Sequence, residues 1–202
     1  AKEAIEAALN NGKHVVTANK ALMAKHGHQL AKLAENNGLS LKFEAAVAGG
    51  IPAIKTLTES LAGNKINRLM GVMNGTCNYI LTRMENANLS YEKVFKEAKD
   101  LGYLEADPTL DVGGIDAGHK LAILSSIAFG TEIDFDSVYL QGIESITIQD
   151  IDQAKELGYR IKLLGVSQRT DNGLEHRMQP CLVPVKSAIR QPENAMNMVS
   201  YK

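Results

Sequence analysis

The apolar positions of this chain follow one rhythm over the first two thirds and another over the last. Residues 2–10 place Ile and Leu among Lys and Glu at helical spacing, and Asn11-Gly12 stops the run. Residues 14–17 predict a short strand. Asn19 is placed to cap a helix from 20 to about 35, which Asn36-Asn37-Gly38 ends. Residues 41–47 predict an apolar strand with Lys42 and Glu44 as polar exceptions. Helix, strand, helix, strand is the order of a parallel α/β sheet. A tight turn at 48–52 then leads, through Pro52, into a helix that reaches Ala62 and ends at Gly63. Residues 66–73 predict a strand, Asn74-Gly75 a turn, and 76–86 and 91–101 two helices, the second stopped by Gly102. Residues 103–114 read as an irregular loop, and 115–129 as a long helix ended by Gly130.

The last third is strand-rich. Residues 138–141, 160–168, 174–185 and 195–201 predict strands, with one helix at 149–157 and a hairpin turn at Asp171-Asn172-Gly173. The expected fold class is mixed α/β: a helix-backed, mixed sheet following the terminal part of a Rossmann-type parallel sheet. The expected division is 1–42 for the end of a nucleotide-binding domain and 43–202 for a catalytic and dimerisation domain. A start at Ala1, inside a helix and without an initiator Met, predicts a chain that begins mid-protein.

Composition narrows the function classes. The formal net charge of the 202 residues is -1, so nothing attracts nucleic acid or an anionic membrane. No apolar run approaches the ~18 residues that span a bilayer. Cys77 and Cys181 fit neither a disulfide framework nor metal spacing, which predicts a reducing, cytoplasmic setting. The absence of Trp leaves the core to Leu, Ile, Val, Ala and Met.

The chemistry concentrates in residues 102–120, where four carboxylates, four glycines and a proline fall within nineteen residues. In the helix that follows the loop, Asp116 and Lys120 are four apart and share a face with Ile123 and Ile127. An acid–base pair on the inward stripe suits proton transfer: burial disfavours the ammonium, while the aspartate opposes that and fixes its position. The same spacing also fits a solvated surface pair. Lys20 opens a helix, where the macrodipole favours an anion, so it points either to an anionic ligand or to a side chain bent into solvent. Cys77, just inside a helix start, is read either as an activated thiolate or as a small buried residue.

Three stretches resemble homoserine dehydrogenases: Val16-Thr17-Ala18-Asn19-Lys20-Ala21, Gly71-Val72-Met73-Asn74-Gly75-Thr76-Cys77-Asn78-Tyr79-Ile80, and the segment 102–120 with its Glu105-Ala106-Asp107-Pro108, Asp111, Gly114-Ile115-Asp116 and Lys120. Leu104 departs from the family, which has a small residue there. The resemblance implies interconversion of aspartate 4-semialdehyde and L-homoserine with NAD or NADP, on the route to threonine and methionine. It implies Lys120 as proton donor, Glu105, Asp116 and Asp111 at the substrate, and Lys20 and Gly102 at the nicotinamide. It also implies a sodium loop at Glu44, Val47, Gly49 and Ile51, and a homodimer, which an open sheet edge favours too. The glycine-rich turn that grips a dinucleotide pyrophosphate is not in the sequence. Weak or no turnover is therefore expected of this chain alone.

Two rival readings remain at this point. A phosphorylating aldehyde dehydrogenase would use Cys77 as nucleophile, although no partnering histidine is evident. A binding or dimerisation module would use none of these groups chemically.

Overall fold

The computed structural model describes residues 1–104 and 107–202. It opens with α1 (Lys2–Asn10), β1 (Val15–Val16), α2 (Lys20–Asn36) and β2 (Leu41–Lys42). The two strands pair in parallel, Val15 against Leu41. The Asn19 side chain accepts from the Leu22 amide and caps α2, as its position predicts.

The expected strand over 41–47 is shorter in the structure. It ends at Lys42 and gives way to a 3-10 turn at Glu44–Ala46. The reason is Glu44, whose two carboxylate oxygens accept from the amides of Ile54 and Lys55 and so cap α3 (Ala53–Lys55). The helix then loosens into a single π turn at Thr56–Ser60, closed by the Leu61 amide on the Thr56 carbonyl.

The remainder is α4 (Gly75–Ala87) after β3 (Arg68–Val72), α5 (Tyr91–Asp100), α6 (Thr109–Val112), α7 (Ile115–Phe129), β4 (Tyr139–Leu140), α8 (Ile148–Glu156), β5 (Tyr159–Thr170), β6 (Gly173–Pro184) and β7 (Met198–Tyr201). The short α6 lies inside the segment expected to be irregular. Four residues are too few to show a hydrophobic period, which is why the sequence hides it.

Five strands form one sheet in the order β4-β6-β5-β3-β7. β4 joins β6 in parallel and the other pairs are antiparallel. β5 and β6 make the predicted hairpin, with Thr170 opposite Gly173. α4, α7 and α8 pack on the sheet and bury Ile80, Met84, Leu121, Ile123, Leu163 and Met178. A smaller cluster of Val72, Leu164, Val166, Val183 and Ile189 covers the other side of β5. The mixed α/β class read from the sequence is the one observed. No helix among the described residues is long and apolar enough to cross a membrane.

Candidate active site

The site is built where α7 faces the end of β3 and the start of α2. Gly114 takes φ 81°, which turns the chain out of α6 and into α7. Asp116 and Lys120 then lie one turn apart on the buried stripe, as the spacing predicts. Lys120 Nζ donates to Asp116 Oδ2 at 2.7 Å and to the Met73 carbonyl, just beyond β3, at 2.8 Å. The Lys120 side chain is 14% exposed and that of Asp116 9%, so the solvated-pair reading does not apply.

Lys20 reaches the same carboxylate from α2, with Nζ 2.8 Å from Asp116 Oδ1. The anion expected near this helix start is therefore supplied by the protein. Asp116 thus bridges two ammonium groups. Burial pushes its carboxyl up, but Lys120 and Lys20 outweigh burial and hold it below the usual carboxylate value.

Asn74 completes the cluster and was not singled out as a site residue from the sequence, where Asn74-Gly75 read as a turn. Its Oδ1 accepts from the Cys77 amide at 2.7 Å and caps α4. Its Nδ2 donates to Asp111 Oδ1 at 3.0 Å and to Asp116 Oδ2 at 3.3 Å. Asp111 sits on α6 and is buried. Cys77 is also buried, and its thiol donates to the Asp111 carbonyl at 3.2 Å. Burial, with Asp111 and Asp116 nearby, pushes that thiol well above its ordinary value. A neutral, enclosed thiol is the structural alternative for this residue, and it tells against the nucleophile reading.

A cleft of about 360 Å³ opens beside the cluster. Ala18, Asn19 and Lys20 form one wall, and Leu110, Asp116 and His119 are on the other. Small residues between the end of a parallel strand and a helix start are where open α/β sheets take ligands. His119 packs at a tilt of 46° against Phe135 with ring centroids 4.2 Å apart, and burial lowers its tendency to protonate. Its pattern signal is indistinguishable from an ordinary helix position.

The structure thus brings Lys20, Asp111, Asp116 and Lys120 together. Gly102 is elsewhere on the frame. It ends α5 at φ 76°, and the next residues are tied to α4 by Thr76 Oγ1 donating to the Tyr103 carbonyl at 2.9 Å. Gly102 is not among the residues lining the cleft. Glu105 lies outside the described residues. Glu44, Val47, Gly49 and Ile51 form the turn before α3, in which Ala48 and Gly50 take φ 48° and 88°. Both Glu44 side-chain oxygens accept from amides, so the polar groups this turn has left to present are mainly backbone carbonyl oxygens.

Comparison with known proteins decides the family. Residues 52–202 match the homoserine dehydrogenase family model, and residues 1–44 match the model of the homoserine dehydrogenase NAD binding domain. The chain belongs to the homoserine dehydrogenase family. It is 51% identical over 199 residues to a homoserine dehydrogenase of Pseudomonas aeruginosa, covering 98% of this chain and 46% of that protein. A Bacillus subtilis homoserine dehydrogenase is 46% identical over 198 residues, again with 98% and 46% covered. The crystal structure of a homoserine dehydrogenase from Thiobacillus denitrificans superposes with a TM-score of 0.98 at 51% identity, covering all of this chain and 47% of the other. The chain therefore spans about half the length of the curated relatives it matches.

Proposed function

We propose that this chain supplies the substrate-binding and proton-transfer part of an NAD- or NADP-dependent homoserine dehydrogenase, interconverting L-homoserine and aspartate 4-semialdehyde on the route to threonine and methionine. The observation that carries the reading is the Lys120 ammonium, pinned between Asp116 and the Met73 carbonyl beside a cleft that starts at the α2 N-terminus.

The residues around the cleft fit the nicotinamide end of such a cofactor, with Lys20 at its mouth; the sequence has no glycine-rich turn for the pyrophosphate. When bound, the cofactor supplies or accepts the hydride at the carbon that becomes C4 of homoserine. Lys120 handles the proton. In reduction, its ammonium gives a proton to the aldehyde oxygen as negative charge develops there; in oxidation, the neutral amine takes the hydroxyl proton. General acid–base help of this kind contributes ~10²–10⁴ in rate. Asp111 and Asp116 offer carboxylates to the polar amino acid end of the substrate, a role that the resemblance also gives Glu105. Sodium in the turn at Glu44, Val47, Gly49 and Ile51 would be held through carbonyl oxygens and would brace the entry to α3. The exposed Leu157, Leu182 and Val185 favour a second copy of the chain as partner.

The test is homoserine oxidation with NAD and NADP at alkaline pH, where release of a proton favours the reaction. It is run on the 202-residue chain and on the same chain replacing the matching segment of the Pseudomonas aeruginosa relative. The chimera is expected to turn over and the chain alone to do so poorly. A well-folded chimera that ignores homoserine would reject the reading.

A further inference from the structure

We infer that Asn74 is a positioning residue for this chemistry: its side-chain amide fastens Asp111 and Asp116 to the wall on which Lys120 is held. The inference rests on the proposed function for its catalytic consequence, but on geometry for its content.

The orientation of the amide is fixed by what surrounds it. Oδ1 faces a donor, the Cys77 amide, and Nδ2 faces two carboxylate oxygens. Turning the group over would set a carbonyl oxygen against two carboxylates and an NH2 against an N–H. Asn74 is buried, so no water can substitute freely for either bond. The helix start itself has little room to move, because a Cβ on Gly75 would lie 2.7 Å from the Ala195 carbonyl oxygen.

An amide meets two demands that conflict. α4 needs an acceptor at its N-cap. Two converging carboxylates need a donor between them that adds no charge. Asn74 does both with one planar group, and the residue before it, Met73, presents the carbonyl that takes the other Lys120 hydrogen bond. One strand-to-helix junction therefore holds both members of the Asp116–Lys120 pair. Asp116 Oδ2 accepts from Asn74 and Lys120 together, while Oδ1 is left to Lys20.

The deciding variant is Asn74→Asp, which keeps a strong N-cap and removes the donor. Asn74→Ala removes both, and Asn74→Ser keeps the cap with a shorter donor and serves if the aspartate variant does not fold. In the form that oxidises homoserine, Asn74→Asp is expected to lower kcat by ~10²-fold, the scale of a displaced reacting group, to raise KM, and to displace the pH profile. In the 202-residue chain, carbon NMR titration of the Asp116 carboxyl should show its midpoint move up in Asn74→Ala relative to wild type, because a donor to the charged form is lost. Wild-type turnover and pH profile in Asn74→Asp would reduce Asn74 to a helix cap and overturn the inference. An unmoved Asp116 midpoint in Asn74→Ala and Asn74→Ser would overturn it as well. Should no form oxidise homoserine, the functional reading falls, and the Asp116 titration still decides whether Asn74 holds the carboxylate.

Discussion

Lys120 and Lys162 are held in similar ways and stand in different surroundings. Lys120 donates to the Met73 carbonyl and to the carboxylate of Asp116, a residue of the cleft wall. Lys162, on β5, donates to Asn78 Oδ1 at 2.6 Å and to the Pro192 carbonyl at 2.5 Å, and is 1% exposed. Behind it Arg160 pairs with Glu85 and Glu193, each at 2.7 Å. Both clusters grip α4, one at its cap and one a turn later at Asn78. Burial, reinforced by the Arg160 charge, lowers Lys162 to about 8, while Glu85 and Glu193 oppose the change. A strongly shifted amine is commonly taken as a functional signal. Here it belongs to a sealed cluster that locks residues 192–196 onto α4. What separates the two lysines is their partner: Asp116, which holds Lys120, lines an open cleft, whereas the partners of Lys162 do not line it.

The contrast predicts opposite responses to removing each lysine. Lys120→Ala should lower turnover by ~10²-fold or more and cost less stability in urea unfolding than the loss of Lys162, because Lys20 stays on Asp116 and the carboxylate borders an open cleft. Asp116→Asn should be comparably damaging, because Lys20 and Lys120 would then face each other without the anion between them. Lys162→Met should do the reverse. It leaves Asn78 Oδ1 without its donor, the Pro192 carbonyl with only the Asn78 amide, and the Arg160 cluster short of a positive charge, at a cost of ~2–4 kcal/mol in stability near pH 7. Turnover per folded molecule should fall far less than in Lys120→Ala. A Lys162→Met protein that is stable but inactive would erase the distinction between the two regions.

The pH response sharpens the same contrast. Lys162 is lowered from 10.5 in the unfolded chain to about 8 in the folded one. Between these values the unfolded chain holds more protons than the folded one, so wild-type stability rises with pH across that window and is flat with respect to this group below it. The stability gap between wild type and Lys162→Met should therefore widen from pH 8 to 10.5, by up to ~3 kcal/mol. Parallel urea unfolding curves at both ends of the window measure it, and a constant gap would mean that Lys162 is not buried as described.

Much of this was legible before the structure, for reasons that differ by element. The Asp116–Lys120 pair showed because an α-helix repeats every 3.6 residues and the apolar Ile123 and Ile127 gave the inward direction. The β5–β6 hairpin showed because its turn residues are chemically restricted. Lys20 could be flagged as out of place at a helix start, but its partner sits on α7, and no local pattern encodes that pairing. Glu44 as a strand residue and Asn74 as a turn residue show the same limit of a local pattern. Each looked like part of its local element, a strand exception or a turn, and each turned out to cap a helix. For Glu44 the capped helix begins beyond an intervening turn, which left the strand at 41–42 shorter than its apolar run suggests. For Asn74 the second half of the amide serves carboxylates far along the chain, and a local reading sees only the cap.

Cys77 lies on α4 between Asn74 and Asn78, and so between the two clusters, which makes it the mildest and most discriminating test. Its thiol donates to the Asp111 carbonyl, and burial keeps it protonated. A serine hydroxyl can make the same bond from nearly the same place. Cys77→Ser should therefore keep turnover near wild type and shift stability by no more than about 1–2 kcal/mol, the scale of a single buried polar replacement. Native protein should also resist alkylation by iodoacetamide at Cys77 while Cys181, which is less buried, reacts first. A loss of turnover in Cys77→Ser as deep as that of Lys120→Ala would move the chemistry from proton transfer at the lysine to covalent catalysis at the thiol. The carboxylates around it would then have to be explained as a thiol's surroundings, although like charges beside a thiolate oppose its formation.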